Sequence, residues 1–220
     1  LFKYWYNSNF AQDEIQTAEH PDLARIAVDL DYPSCWQKPC LISNAKRACA
    51  INGLSEIYGW KFSDSPLDAL KKHVVPFDTN SMTKTNILVM AALQISGNQT
   101  CKQYSVMDIV TLFKTSYSAF RLVVLAKKKF KKIIVNTGNW GCGSFGNNYR
   151  LIAIIQILAA CLAGLNELNY YTFDEHAHLE YHKAKEWIVH NIELTKVKTV
   201  GDVVSIIHGG NFIYGESNGT

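Results

Sequence analysis

Four glycines set between a hydrophobic strand and a hydrophobic helix, in Val135-Asn136-Thr137-Gly138-Asn139-Trp140-Gly141-Cys142-Gly143-Ser144-Phe145-Gly146-Asn147-Asn148, constrain this chain more than any other stretch. Upstream, Ile133 to Val135 predict a β-branched strand. Downstream, Tyr149 to Leu165 predict a long apolar helix, and Leu168 to Phe173 a second strand. The unit is strand, Gly-rich loop, helix, strand. Glycines let backbone N–H groups turn toward a ligand with no Cβ in the way. The following helix adds unpaired N–H groups and a partial positive charge, so an anionic phosphate would be stabilised there.

Gly141-Cys142-Gly143-Ser144-Phe145-Gly146 also satisfies G-x-G-x-x-G, the pattern of dinucleotide-binding folds. In that fold the strand runs straight into the first glycine, whereas Thr137-Gly138-Asn139-Trp140 intervene here. No strand-ending acid falls about 20 residues on, since Asp174 and Glu175 come later. A dinucleotide-binding protein is therefore the more remote alternative.

The longer string Thr137 to Gly146, continued by Leu151, Ile155-Gln156, Ala159-Ala160, Ala163 and Tyr171-Thr172-Phe173, closely resembles the C-terminal half of the poly(ADP-ribose) glycohydrolases. The resemblance recurs at Thr199-Val200-Gly201-Asp202-Val203, Cys40-Leu41-Ile42, Ser116-Tyr117 to Phe120, and Gln12-Asp13-Glu14-Ile15 followed by Pro21-Asp22-Leu23. It implies an α/β, macrodomain-like three-layer fold with a mostly parallel mixed sheet. It also implies binding of ADP-ribose and cleavage of the ribose–ribose glycosidic bond of poly(ADP-ribose). The family's Gln-Glu-Glu motif, whose second Glu is the acid, maps onto Gln12-Asp13-Glu14. Such cleavage needs a carboxylic acid to protonate the leaving oxygen and electrostatic support for an oxocarbenium-like sugar. The resemblance thus makes Glu14, with Asp13, the catalytic pair and has Gln12 orient the ribose hydroxyls. Gly141, Cys142, Gly143, Ser144 and Phe145 line the diphosphate and ribose, chiefly through backbone groups.

Departures from the family pattern shape the expected function. Asp13 stands for the family's first Glu and is one methylene shorter. Phe2, Lys3 and Tyr4 or their neighbours occupy the place of a glycine triplet, and residues 1 to 11 contain no glycine. Bulky side chains there would block close backbone approach to a ligand. The tyrosine that covers the adenine in the family aligns with Leu54, which keeps apolar packing and loses the aromatic stack. The reading is a divergent, catalytically degenerate relative serving as a structural or ADP-ribose-binding component. The alternative is an active glycohydrolase with Glu14 as acid. The expected extent is a single domain over residues 1 to 220, the C-terminal portion of a longer family domain.

At 220 residues and 48% hydrophobic, the chain can bury the core of one domain. A net charge of +3 carries no nucleic-acid or membrane signal, and no uninterrupted run of 18 apolar residues marks a span. Leu1 to Phe10 lacks the apolar core of a signal peptide. Cys35, Cys40, Cys49, Cys101, Cys142 and Cys161 show no CxxC pair and no ligand-like spacing with the histidines, so neither zinc nor any cofactor is expected. Cys142 and Cys161 read as buried thiols. An intracellular, reduced compartment is the expectation, with the sequons Asn98-Gln99-Thr100 and Asn218-Gly219-Thr220 leaving secretion open. The partners expected are ADP-ribose or poly(ADP-ribose) at an intact pocket, and a larger protein assembly.

Elsewhere, Gln12 to Leu30 predicts a helix with Ile15, Leu23, Ile26 and Ala27 buried and Pro33 ending it. Cys40 to Ser43 and Asn86 to Leu93 predict strands, Leu67 to Lys72 a short helix within a loop from Ser63 to Ser81, and Val106 to Leu125 a helix with Ile109, Leu112, Phe113 and Phe120 on one face. Strands alternating with helices predict a mostly parallel sheet with ligands at the carboxyl ends of the strands, where Gly138 and its loop would lie. Lys127 to Lys132 reads as a solvated helix end rather than a polyanion site. His176, His178 and His182, with Glu175 and Glu180, read as a helix face without metal. Trp36, Trp60 and Trp187 read as packing residues, and His208-Gly209-Gly210-Asn211 as a turn.

Overall fold

Pro21 sets the first boundary. The residue before a proline is disfavoured in the helical region, and His20 duly leaves it (φ −125°, ψ 81°), so the helix expected from Gln12 is interrupted there: α1 spans Gln12–Glu19, and helical backbone resumes at Asp22 and Leu23. The computed structural model describes residues 10–23, 38–78, 80, 82–95, 102–127, 129–193, 196–197 and 199–215. Ile26, Ala27, Pro33, Cys35, Trp36, Cys101, both sequons and the segment holding Phe2, Lys3, Tyr4 and Trp5 lie outside the described residues. The chain divides into two compact units, Leu1–Val89 and Met90–Gly219.

In the first unit α1 is followed by β1 (Cys40–Lys46), β2 (Cys49–Ile51), the short helices α2 (Leu54–Ile57), α3 (Trp60–Asp64) and α4 (Leu67–Lys71), then β3 (Val74–Pro76) and β4 (Lys84–Val89). β1 pairs antiparallel with β4, and the register shifts between Ile42 and Ala45. Asn44 absorbs the extra residue at φ 61°, its amide donating to the Asn86 Oδ1 at 3.2 Å. β3 pairs antiparallel with β2 inside a stretch whose two prolines suggest only loop. Three residues alternating with no hydrophobic contrast carry no period-2 signal. Phe10, Ile15 and Ile57 form the core, with Ile51, Leu54, Tyr58, Phe62 and Leu70 against it. Glu19 is buried and satisfied: its Oε1 accepts from Arg47 Nη2 at 2.8 Å and from the Ile51 amide at 2.9 Å, fixing α1 to β2.

In the second unit α5 (Val106–Ala126) precedes β5 (Ile134–Gly138), α6 (Tyr149–Ala163), β6 (Glu167–Tyr171), α7 (Glu175–Asn191) and α8 (Val200–Gly209). β5 and β6 pair in parallel, with Gly138 opposite Tyr171. Among the described residues this is the parallel pair beside two antiparallel ones. The expected strand over 133–135 runs on to Gly138, because Asn136 and Thr137 stay in the ladder despite their polarity. α6 crosses between β5 and β6 and buries Leu151, Ile152, Ile154 and Ile155, each worth about 1.5–3 kcal/mol on removal from water. It ends at Gly164 (φ 80°), where the Leu165 amide reaches back to the Ala160 carbonyl at 3.1 Å. α5 lies against α6. It is long and apolar enough by composition to cross a membrane, but Ile109, Leu112, Phe113, Ala119 and Phe120 bury one face in the core. Thr199 and Asp202 cap α8 reciprocally, and Val203, Val204 and Ile207 fill the space beside α5. His208 and Gly209 therefore close a helix, and the turn begins only at Gly210. Cys161, expected as a buried thiol, is exposed on α6, whereas Cys142 is buried as expected. Lys127 closes α5 and Lys132 pairs with Glu167 on β6.

Behind the loop, residues 211–215 form a strap. The Tyr104 amide donates to the Phe212 carbonyl at 3.2 Å, the Tyr214 amide to the Lys102 carbonyl at 2.6 Å, and the Tyr214 hydroxyl to Asp108 Oδ2 at 3.1 Å. Phe212 also meets Trp187 edge-on at 5.5 Å.

Candidate functional site

The Gly-rich loop leaves the carboxyl end of β5 and is folded onto one side chain, Asn147. This residue is fully buried. Its Nδ2 donates to the Leu93 carbonyl at 2.6 Å and the Gly141 carbonyl at 3.0 Å, and its Oδ1 accepts from the Tyr104 hydroxyl at 3.2 Å. Its amide also donates to the Gly141 carbonyl at 3.0 Å. The Tyr104 hydroxyl in turn accepts from the Asn148 amide at 2.9 Å. Burial pushes the Tyr104 phenol well above the usual tyrosine range, so it stays a donor. Gly141 sits at φ 72°, where a Cβ would lie 2.5 Å from Ala92 Cβ and 2.8 Å from Asn147 Nδ2. Only glycine fits. Nothing in the sequence marks Asn147 or Tyr104 for this role: the Asn147-Asn148 pair before a helix suggests a cap, which Asn148 provides, and spacing does not reveal a buried hub.

Two further ties hold the loop to strand and helix. Buried Gln156 on α6 accepts from Thr137 Oγ1 at 2.6 Å and donates to the Gly138 carbonyl at 2.9 Å. Asn148 caps α6, its side chain accepting from the Leu151 amide at 3.0 Å and donating to the Ile213 carbonyl of the strap at 3.0 Å. Trp140 is half-buried and donates from Nε1 to the Met90 carbonyl at 3.3 Å. Cys142 turns its side chain into the core, and burial drives its thiol far above the usual range. It offers a ligand its backbone alone. Gly143 is half-exposed, and Ser144 and Phe145 are exposed. The part of the loop facing solvent is thus the expected Gly143-Ser144-Phe145, just before a helix N-terminus, a place suited to an anion. Gly146 (φ 65°) lies before the cap at Asn148 instead of inside the helix, unlike the third glycine of a dinucleotide fingerprint, which packs helix against strand.

Beside the loop, Asn139 Nδ2 donates to the Thr172 carbonyl at 2.8 Å, holding the end of β6. The Asp174 amide bonds back to Thr172 at 2.9 Å, closing a γ-turn with Phe173 at its centre at φ 75°. That hand of γ-turn is strained for a side-chain-bearing residue. Phe173 is nonetheless 81% exposed. A large aromatic ring held in water on a strained turn next to a candidate anion site is a feature that spacing alone does not reveal.

The acidic motif belongs to the first unit. Gln12 and Asp13 are exposed on the first turn of α1, and Glu14 is half-buried. Glu14 Oε2 accepts from the Ala11 amide at 3.0 Å, capping the helix that Ala11 cannot cap itself. Desolvation, followed by the neighbouring Asp13 carboxylate, pushes Glu14 up to about 7. Leu54 opens α2 and packs against the Phe10, Ile15 and Ile57 cluster. Tyr58, one turn on, is the aromatic at this motif. Its phenol is raised by burial and then by the charges of Asp13 and Glu14, and it is hydrogen-bonded by the Gln12 backbone.

The profile described as poly(ADP-ribose) glycohydrolase, macro domain fold, matches residues 5–180. The chain belongs to the poly(ADP-ribose) glycohydrolase family. Gln12 to Glu14, Leu54, the loop and Phe173 all lie within the matched residues, whereas α8 and the strap lie beyond them. Poly(ADP-ribose) glycohydrolase 1 of Arabidopsis thaliana is 42% identical over 69 residues, 31% of this chain and 12% of that protein. The probable poly(ADP-ribose) glycohydrolase 2 of the same plant is 51% identical over 43 residues, 20% of this chain and 8% of its own length. The chain thus shares with these relatives only a small part of their length, and its architecture is α/β.

Proposed function

We propose that this member of the poly(ADP-ribose) glycohydrolase family is an ADP-ribose-binding domain in which Gly143, Ser144 and Phe145 hold the diphosphate and ribose. The observation that carries this reading is the cradle itself: Gly141 admits no Cβ, Asn147 fixes the loop from within, and its solvent-facing residues precede the α6 N-terminus. Phe173 supplies a stacking face for the adenine, which accounts for an exposed ring on a strained turn. The parallel β5–α6–β6 unit fits the three-layer, mostly parallel mixed sheet of a macrodomain.

Calorimetric titration with ADP-ribose tests the reading. Saturable binding is expected, and Gly143→Glu should abolish it by filling the cradle and repelling phosphate. No heat from the unmodified chain would refute it. Phe173→Ala should weaken ADP-ribose about five- to a hundred-fold, the range of one lost base stack, while leaving binding of inorganic pyrophosphate unchanged.

Catalytic loss is part of the same reading, resting on Asp13, Leu54 and the absence of glycine from residues 1 to 11. Robust hydrolysis of poly(ADP-ribose) by the purified chain would overturn that part. One observation favours the active alternative: Glu14 is poised at about 7, where a general acid works best near neutral pH. In that reading Glu14 protonates the leaving ribose oxygen and Gln12 orients hydroxyls.

A further inference from the structure

Two imidazoles on α7 face one another across a turn. His178 and His182 are four residues apart on a seventeen-residue helix, both exposed, with Nε2 to Nε2 at 3.0 Å and the rings edge to face. As the chain stands, one Nε2–H donates to the other ring's bare Nε2. When that proton moves to Nδ1 of its own ring, both Nε2 lone pairs are open and both rings stay neutral, and neutral imidazole is a good ligand for divalent transition metals.

The ligand set selects the metal. Bonds of about 2.0–2.1 Å set at right angles leave the two nitrogens about 2.9 Å apart, whereas a tetrahedral angle leaves them about 3.3 Å apart. The 3.0 Å seen here is set by the hydrogen bond and lies within a few tenths of an ångström of both, so the rings need little motion; two imidazoles with water elsewhere make the open nitrogen and oxygen site that copper(II) and nickel(II) take, whereas structural zinc is closed by four protein ligands. We propose that His178 and His182 form a two-histidine clamp for a copper(II)- or nickel(II)-like ion, with water completing its coordination.

The surroundings fit. Glu180, the nearest carboxylate in sequence between them, is engaged by Arg150 at 2.9 Å and Lys183 at 2.7 Å and is not a ligand. Lys185 lies over the Tyr181 ring at 4.9 Å. Among the described residues no group of three or more His, Cys, Asp or Glu side chains is gathered for a metal, so the protein supplies two ligands. The helix under them is well anchored. Asp174 Oδ1 caps it by accepting from the Ala177 amide at 2.7 Å, and the Glu180–Arg150 pair ties it to α6. Little ordering of backbone is needed to present both rings. The spacing in the sequence places the rings on one face; the distance between their nitrogens is what the structure adds.

The test is titration of the untagged chain with nickel(II) by calorimetry at pH 7.5, beside His178→Ala, His182→Ala and a His176→Ala/His208→Ala control. One equivalent is expected to bind. Either clamp variant should weaken it at least tenfold, and the control should match the unmodified chain. The melting temperature should rise with nickel(II) in the unmodified chain and the control only, since a ligand that binds the folded state stabilises it. Because both clamp positions are exposed, His178→Ala and His182→Ala should melt like the unmodified chain in chelator. A copper(II) EPR spectrum with two nitrogen couplings would support the clamp directly. Absence of saturable binding, or equal affinity in either clamp variant, would overturn it.

Discussion

Asn147→Leu is expected to cost the second unit about 2–6 kcal/mol, because it strips the Leu93 carbonyl and the Tyr104 hydroxyl of the partner that Asn147 supplies to each, at about 1–3 kcal/mol per stranded group. The Gly141 carbonyl suffers less, since it keeps the bond from the residue 147 amide. Against a domain stability of about 5–15 kcal/mol this is a large fraction. Urea unfolding measures it as a lower midpoint at unchanged slope. Tyr104→Phe removes one bond to Asn147 Oδ1 and the acceptor of the Asn148 amide, and should cost less than Asn147→Leu. The double variant should fall short of the sum, because the two residues share a bond. A loss below 1 kcal/mol for Asn147→Leu would mean that the hub carries no weight and that the loop is held elsewhere.

Glu14 carries the second large effect. Any hydrolysis of poly(ADP-ribose) by this chain should fall about 10²- to 10⁴-fold in Glu14→Gln, the usual contribution of a positioned acid, with ADP-ribose affinity unchanged. Glutamine can still accept from the Ala11 amide, so α1 should keep its cap. The acid is useful only while protonated. Turnover should therefore fall as pH rises through about 7. Stability should move with the same group. Its folded value lies above its ordinary 4.5, so between pH 4.5 and about 7 the folded state holds a proton that the unfolded chain has released. Stability from this group is full below 4.5, declines across that window and is flat above it. In Glu14→Gln that slope should vanish. Turnover insensitive to both the substitution and pH would remove Glu14 from the chemistry.

The local signals in the sequence were faithful where one period dominated. Ile109, Leu112, Phe113 and Phe120 mark the buried face of α5, and the helix from Tyr149 ends at Gly164 because its apolar run is capped at both ends. The helix expected from Gln12 is interrupted because the charged and apolar alternation runs through Pro21, while the backbone at His20 obeys the proline and turns helical again only at Asp22. α8 went unread, its run Val203-Val204-Ser205-Ile206-Ile207 being as β-branched as a strand; the Thr199–Asp202 cap overrides that preference. In the candidate site, glycine positions were legible because they answer to backbone geometry. Asn147, Tyr104, Tyr58 and Phe173 were not, since each is defined by a partner distant in sequence or by a strained angle.

The strap has a practical consequence for anyone trimming this chain. The family match ends at residue 180, which invites a boundary near there or after α8. Yet the Ile213 carbonyl receives the Asn148 side chain, and Gly215 passes so close that a Cβ on it would sit 2.8 Å from the Asn147 carbonyl. A product cut at residue 210 would retain every loop residue while losing the wall behind them. Its failure to bind nucleotide would say nothing about the loop's own chemistry, so deletion series on this protein should be read only from fragments that reach Gly215.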